Sequence, residues 1–167
     1  MIADHVRARA AEHGIQPTLA PRNTCYGCGP SNASGLQLVS YPLAAPSREI
    51  VAQWQPAQQH QAFPGVLNGG VIGTLLDCHS NWAAIWHFLH EDGGEVPRCC
   101  VTGEFSVRLR RPTPLGPPVQ VRAWVEEQPA DDRVLVSAEL HCEGNVCATC
   151  RGVFFSVGED HPAHHAW

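Results

Sequence analysis

The chain has 167 residues, enough for one compact domain with a real core and too few for two comfortable ones. Apolar residues make up 44% and charged residues 16%, an ordinary globular balance that argues against disorder. The net charge of −5 gives no basic field for a nucleic-acid partner, and every basic residue is an arginine, which excludes a lysine Schiff base.

The N-terminal stretch MIADHVRARAAEHGIQP has no apolar run resembling a signal-peptide core. The most apolar segment, 66–89, is interrupted by Asn68, Asp77, His79, Asn81 and His87, which a lipid-spanning helix does not tolerate cheaply. A soluble cytoplasmic protein with no membrane association is expected, its eight cysteines reduced. Residues 1–24 read as an N-terminal extension, a short helix over 3–13 and then a proline-containing linker, lying over the domain or partly mobile. The main domain is expected over 25–158, with a tail over 159–167.

That domain opens with the turn-rich CYGCGPSNASG, followed by strand-like runs over 36–41 and 49–54. The pattern then changes. GGVIGTLLDCHSNWAAIWHFLH has no proline and helical rather than alternating spacing, with Asn68 as N-cap, Gly69 and Gly70 as the first helical residues, and Asp92, Gly93 and Gly94 as the stop. In CVTGEFSVRLRRP, Val101, Phe105, Val107 and Leu109 fall on one face of a strand, with Thr102, Glu104, Ser106, Arg108 and Arg110 on the other. Alternation continues from Val119 to Glu126, and strands are expected over 133–141 and 146–157, joined by a Glu-Gly-Asn turn at 143–145. The order β-β-α-β-β-β-β predicts an α+β fold in which a curved antiparallel sheet of about five to six strands wraps one long central helix. Such wrapping explains a helix that is apolar nearly all round.

Asp77 stands mid-helix, where an unpaired carboxylate is costly to bury. Gly70, Gly73, Thr74, Asn81 and Ala84 lie three, four or seven residues away and form a stripe of small and polar residues. A carboxylate on such a stripe faces a cavity, a close backbone or another subunit, or is capped by hydrogen bonds from Thr74 or Asn81. The glycines at the helix start favour chemistry. The first N–H groups of a helix lack internal partners, and Gly69 and Gly70 let a polarised carbonyl approach them, as in an oxyanion hole. Gly69 and Asp77 are eight residues apart, or about 12 Å along the axis, so they cannot serve one carbonyl from the same chain. A composite site in a two-fold homodimer resolves this, with dimers of dimers possible.

The stretch HQAFPGVLNGGVIGTLLDCHSNWA resembles the signature of PaaI-type hotdog thioesterases: PG, a small apolar pair, a GG and an aspartate seven positions after the second glycine. CYGCGPSNASGLQL and TGEFSVRLRRPTPLG are similar to that family's opening loop and to the strand after its helix. The resemblance covers about residues 25–157 and implies a hotdog fold and hydrolysis of an acyl-CoA or acyl-carrier-protein thioester without cofactor or metal. By position it implies that Asp77 is the general base or nucleophile, that the Gly69 N–H polarises the carbonyl, and that Thr102 helps hold the attacking water. Asn68 stands where the family has histidine, and Ala62 where it has an asparagine. His60 is expected to compensate or to line the entrance. Gly70 and Asn81 are expected at the substrate, and Arg108 and Arg110, in a cluster with Arg111, to receive phosphates of coenzyme A.

Cys25-x-x-Cys28 and Cys147-x-x-Cys150 suggest a four-thiolate zinc site, but two cysteines three apart in one strand point to opposite faces. Cys25, Cys28 and Cys78 are therefore read as packing residues. His79, His87 and His90 are read as helix surface, and HPAHHAW as a flexible tail. Two alternatives to hydrolysis stand beside it: a non-catalytic acyl-CoA-binding protein, and a hotdog enzyme acting on enoyl thioesters.

Overall fold

The computed structural model describes residues 2–165; the last two residues of the tail expected over 159–167 lie outside them. The sheet has six strands in the order β1-β2-β6-β7-β8-β5, every pairing antiparallel. They are β1 (Tyr41–Pro42), β2 (Ile50–Trp54), β5 (Cys99–Leu109), β6 (Val119–Ala130), β7 (Arg133–Cys142) and β8 (Asn145–Val157). A separate two-stranded piece, β3 (Gln61–Phe63) with β4 (Val66–Leu67), precedes the long helix α3 (Gly69–Asp92). The helix packs against β2 and β5 to β8, which is the hotdog arrangement expected from the sequence.

The helix forms where its signals put it. Asn68 accepts hydrogen bonds from the N–H groups of Gly70 and Val71 through its side chain, and Gly93 ends the last turn at φ 62°. Leu75, Leu76, Trp82, Ile85, Trp86, Phe88 and Leu89 are almost wholly buried, each large side chain contributing about 1.5–3 kcal/mol of apolar burial. Gly70, Gly73, Thr74, Asp77 and Asn81 keep some exposure, as the stripe predicts; Ala84 is an exception, fully buried in the core. The turn between β7 and β8 is a two-residue loop, Glu143 and Gly144, both at positive φ, as the right-handed twist of a hairpin requires.

Three expectations are corrected. Residues 36–40 are not a strand, because Gln37 adopts φ 49° and breaks the pleat; Leu36 and Leu38 instead bond back to the carbonyls of Tyr26 and Gly27. The linker after α1 (Asp4–His13) contains a further helix, α2 (Ile15–Leu19), and Ala10, Ile15, Gln16 and Ala20 are buried against the domain. The histidines are not a solvated helix face: His79 is fully buried, His90 is 8% exposed, and half-buried His87 bonds Gln128.

His79 belongs to a polar chain that no local pattern shows. Its Nε2–H donates to the Ile50 carbonyl, so Nδ1 accepts from the Ser40 hydroxyl at 2.8 Å; Ser40 in turn exchanges two bonds with the Gln16 amide. Burial holds His79 neutral, its pKa pulled down to about 4.

Candidate active site

Asp77 faces a cavity of about 310 Å³ at the edge of the sheet, with Thr102 and Asn81 also in its wall. The Thr102 hydroxyl donates to Asp77 Oδ1 at 2.7 Å. Neither helical neighbour caps the carboxylate: Thr74 donates back to the Gly70 carbonyl, and the Asn81 amide donates to the Cys100 carbonyl. Burial raises the Asp77 pKa above the ordinary aspartate value, the Thr102 bond opposes this, and a nearby Cys25 thiolate adds to it.

Thr102 reaches the helix because β5 is not regular. Its pairing with β8 slips at Gly103, so Thr102 pairs with Phe154 and Glu104 with Val153. One extra residue reverses the faces beyond it. Before the bulge the helix-facing residues are Cys100 and Thr102; after it they are Phe105, Val107 and Leu109, opposite Gly152, Cys150 and Ala148. The uniform alternation expected from the sequence, with Thr102 on the face of Glu104 and Ser106, is thereby corrected. An ideal Cβ on residue 103 would stand 2.3 Å from the Phe155 ring, so the bulge requires glycine.

Three thiols lie in the same cavity. The Sγ atoms of Cys25, Cys28 and Cys78 all sit within 4.8 Å of one another, where the sequence suggested separate packing residues. Hydrogen bonds from the Cys28 and Cys78 thiols, with the Cys28 and Gly27 backbone N–H groups, bring the Cys25 pKa down to about 2. Donating to Cys25 pushes Cys28 up to about 12, and Cys78 rises as well. The tail predicted as flexible turns as a short 3₁₀ segment over Pro162–His165 and places Ala163 at the cavity rim.

The Gly69 end of the helix is elsewhere. Gly69 lines a second cleft, of about 380 Å³, with Phe63, Ile72, Leu109, Arg110 and Arg111, and the two cavities share no residue. Asn68 Oδ1 takes the Gly70 N–H at 2.7 Å and the Val71 N–H at 3.2 Å, which removes Gly70 as a donor to substrate. The Gly69 N–H, at the first helical position, has no partner among the described residues.

The remaining candidates divide. Arg110 joins the Gly69 cleft while donating weakly to Thr149, and Arg111, also in the cleft, bonds Asn145. Arg108 is exposed opposite Thr149, on the sheet face away from the helix. His60 lines neither cavity; its Nδ1 accepts from the Ala57 N–H at 2.9 Å and its ring lies 4.8 Å from that of Trp54, so it braces the turn before β3. Among the aromatic residues, Trp82 borders the Asp77 cavity, Phe63 the Gly69 cleft, and Trp86 is core.

The sequence model of the thioesterase superfamily matches residues 64–148, just over half of the chain. The chain belongs to the thioesterase superfamily. Among solved structures, this thioesterase-superfamily chain is similar to another thioesterase superfamily protein at 26% identity and TM-score 0.61, over 75% of this chain and 60% of that one. It thus spans less than two thirds of that relative. A thioesterase from Haemophilus influenzae superposes with TM-score 0.66 at 18% identity, covering 82% of this chain and 90% of the other. The Escherichia coli PaaI protein of the phenylacetic acid degradation operon superposes at 0.60 and 17% identity, over 74% and 81%. At these identities the last two likenesses speak for the fold. No curated protein matches in sequence.

Proposed function

We propose that this chain hydrolyses an acyl thioester of coenzyme A or of an acyl-carrier protein, as a PaaI-type thioesterase with sites shared between two subunits. The observation that carries the reading is the hydrogen-bonded pair Asp77–Thr102 in the wall of a cavity, in a chain of the thioesterase superfamily. The Thr102 hydroxyl hydrogen fixes one carboxylate oxygen, leaving the other for a water and the Thr102 lone pairs for the same water. Asp77 takes the water's proton as its oxygen attacks the thioester carbon. The carbonyl oxygen becomes an oxyanion held by the N–H of Gly69 of the partner subunit. Collapse breaks the carbon–sulfur bond, and the leaving thiolate recovers the proton from Asp77.

The pairing of subunits is supported by geometry. Within one chain Asp77 and Gly69 occupy different cavities. β5 is an edge strand, and Phe105 and Leu109 on its helix-facing side are 42% and 59% exposed, beside the exposed small residues of α3. A second copy laid antiparallel along this edge covers that surface and brings each Gly69 toward the other Asp77. Arg110 and Arg111 at the Gly69 cleft then suit the coenzyme phosphates better than Arg108 does.

The test is thiol release from a panel of short, medium and aromatic acyl-CoAs, with wild type and Asp77→Asn. Turnover that falls by about 10²–10⁴ in the variant supports the assignment. Release that survives the substitution, or wild type inert on the whole panel and on carrier-protein thioesters, refutes it.

A further inference from the structure

The thiol cluster is unused by the hydrolytic reading, and its geometry is more specific than packing requires. Cys25 and Cys28 come from the opening loop and Cys78 from the middle of α3, one residue beyond Asp77. Their sulfurs turn toward one another: Cys25 Sγ lies 3.7 Å from Cys78 Sγ, and all three lie within 4.8 Å. A tetrahedral zinc with zinc–sulfur bonds of about 2.3 Å has a sulfur–sulfur edge of about 3.8 Å. One edge of that polyhedron is already formed, and the third sulfur needs only a small inward movement.

The surroundings are those of ligating rather than apolar sulfur. The CYGCG turn closes through a hydrogen bond from the Gly29 N–H to the Cys25 carbonyl at 2.9 Å. From the helix, Trp82 Nε1–H donates to Cys28 Sγ at 3.1 Å. N–H donors aimed at sulfur orient and stabilise thiolates, the second shell a thiolate-bound metal needs. The turn is also closed tightly onto the helix: an ideal Cβ on residue 27 would stand 2.3 Å from Cys78 Sγ, so only glycine lets the loop approach this closely. The Asn23 side chain accepts from the Cys25 N–H at 2.7 Å and anchors the start of the turn.

We propose that Cys25, Cys28 and Cys78 bind a soft or borderline divalent cation, zinc above all, through three thiolates, with the fourth position open to the cavity that holds Asp77. Three sulfurs select against magnesium and calcium, which take oxygen ligands. Binding displaces the thiol protons to solvent and transfers no electrons. The open position takes a water, as in zinc sites with three protein ligands. Cys147 and Cys150, the second pair suggested by the sequence, are buried in the sheet and do not join the cluster. The cation links the opening loop to α3, so it also sets the wall of the Asp77 cavity.

Two measurements on the full chain test this without reference to thioester hydrolysis. Metal analysis after purification in zinc-supplemented medium is expected to give about one zinc per chain in wild type and less than about a tenth of that in Cys25→Ser and Cys28→Ser. Retention of zinc by either variant would place the metal elsewhere and overturn the proposal. In folded wild type, mass-mapped alkylation of exposed Cys25 is expected to slow at least about tenfold when zinc is added to chelator-treated protein. An unchanged alkylation rate, or a Cys25–Cys78 disulfide that forms in air equally fast with and without zinc, also overturns it.

Discussion

Thr102 donates its hydroxyl hydrogen to Asp77 across the gap between strand and helix, and it does so from a position that a one-residue bulge turns inward. The hydroxyl hydrogen therefore orients the carboxylate, while the oxygen's lone pairs remain for the attacking water. Thr102→Val is expected to lower kcat about tenfold to a hundredfold, the equivalent of losing a hydrogen bond to a charged group. Thr102→Ser should restore most of it. Equal activity in Thr102→Val and wild type would remove Thr102 from the mechanism.

Gly69 cannot be stripped of its N–H by an ordinary side chain, but proline can do it. Residue 69 is the first helical position, and Asn68 at φ −67°, ψ 133° already has the conformation a following proline demands. Gly69→Pro should therefore fold and lose about 10²–10³ in kcat if its N–H serves the oxyanion. Mixing Gly69→Pro with Asp77→Asn then distinguishes one-chain from two-chain sites. After subunit exchange half of the dimers are mixed and carry one intact site of two, so activity should return to about a quarter of wild type. A mixture no more active than its components would show that each chain holds a whole site.

Asn68 caps the helix through two N–H groups. Asn68→Ala should cost about 0.5–2 kcal/mol in urea denaturation, whereas Asn68→Asp should cost little. A stable alanine variant would mean that the β4–α3 junction is held by other contacts.

His90 makes stability depend on pH. Its Nδ1–H donates to the Trp86 carbonyl at 2.7 Å, so the neutral ring accepts from Arg7 through Nε2 at 3.3 Å. Burial, and then the charges of Arg7, Arg48 and His87, lower its pKa, against the Trp86 bond; Arg48 is itself paired with Glu91. The unfolded chain thus binds more protons than the folded one below about pH 6.5, so the stabilisation is present above that value and is lost as the pH falls. Unfolding free energy should drop between about pH 7.5 and about pH 5.5, and drop less in His90→Gln. Identical slopes would exclude His90 as the source.

The features legible in the sequence were those written in neighbouring residues. The Asn68 cap, the unbroken apolar spacing of α3 and the Glu143–Gly144 turn each carry their own local signal, and together they fix the helix and the β7–β8 hairpin. The bulge at Gly103 has a weak signal, a glycine within an alternating run, and a uniform period of two passes straight over it. The thiol cluster and the Gln16–Ser40–His79 chain have no local signal, because their members lie far apart in the sequence and meet only when the loop and the helix dock. Cys78 reads as a small packing residue for this reason, although the CxxCG turn is visible in the sequence.

The Gln16–Ser40–His79–Ile50 chain spans 24, 39 and 29 residues in its successive steps. It ties α2, the segment before β1, the central helix and β2 through groups that exclude water. No one of these can open without leaving a buried donor or acceptor unpaired. The Ile15 N–H bonds the Ser40 carbonyl at 2.7 Å, and the Ser40 N–H bonds Gln16 at 2.8 Å. In amide hydrogen exchange these two protons, the first of them close to the chain's beginning, should therefore exchange with the slow core of the sheet, at the free energy of global unfolding, rather than with the fraying of a terminal segment.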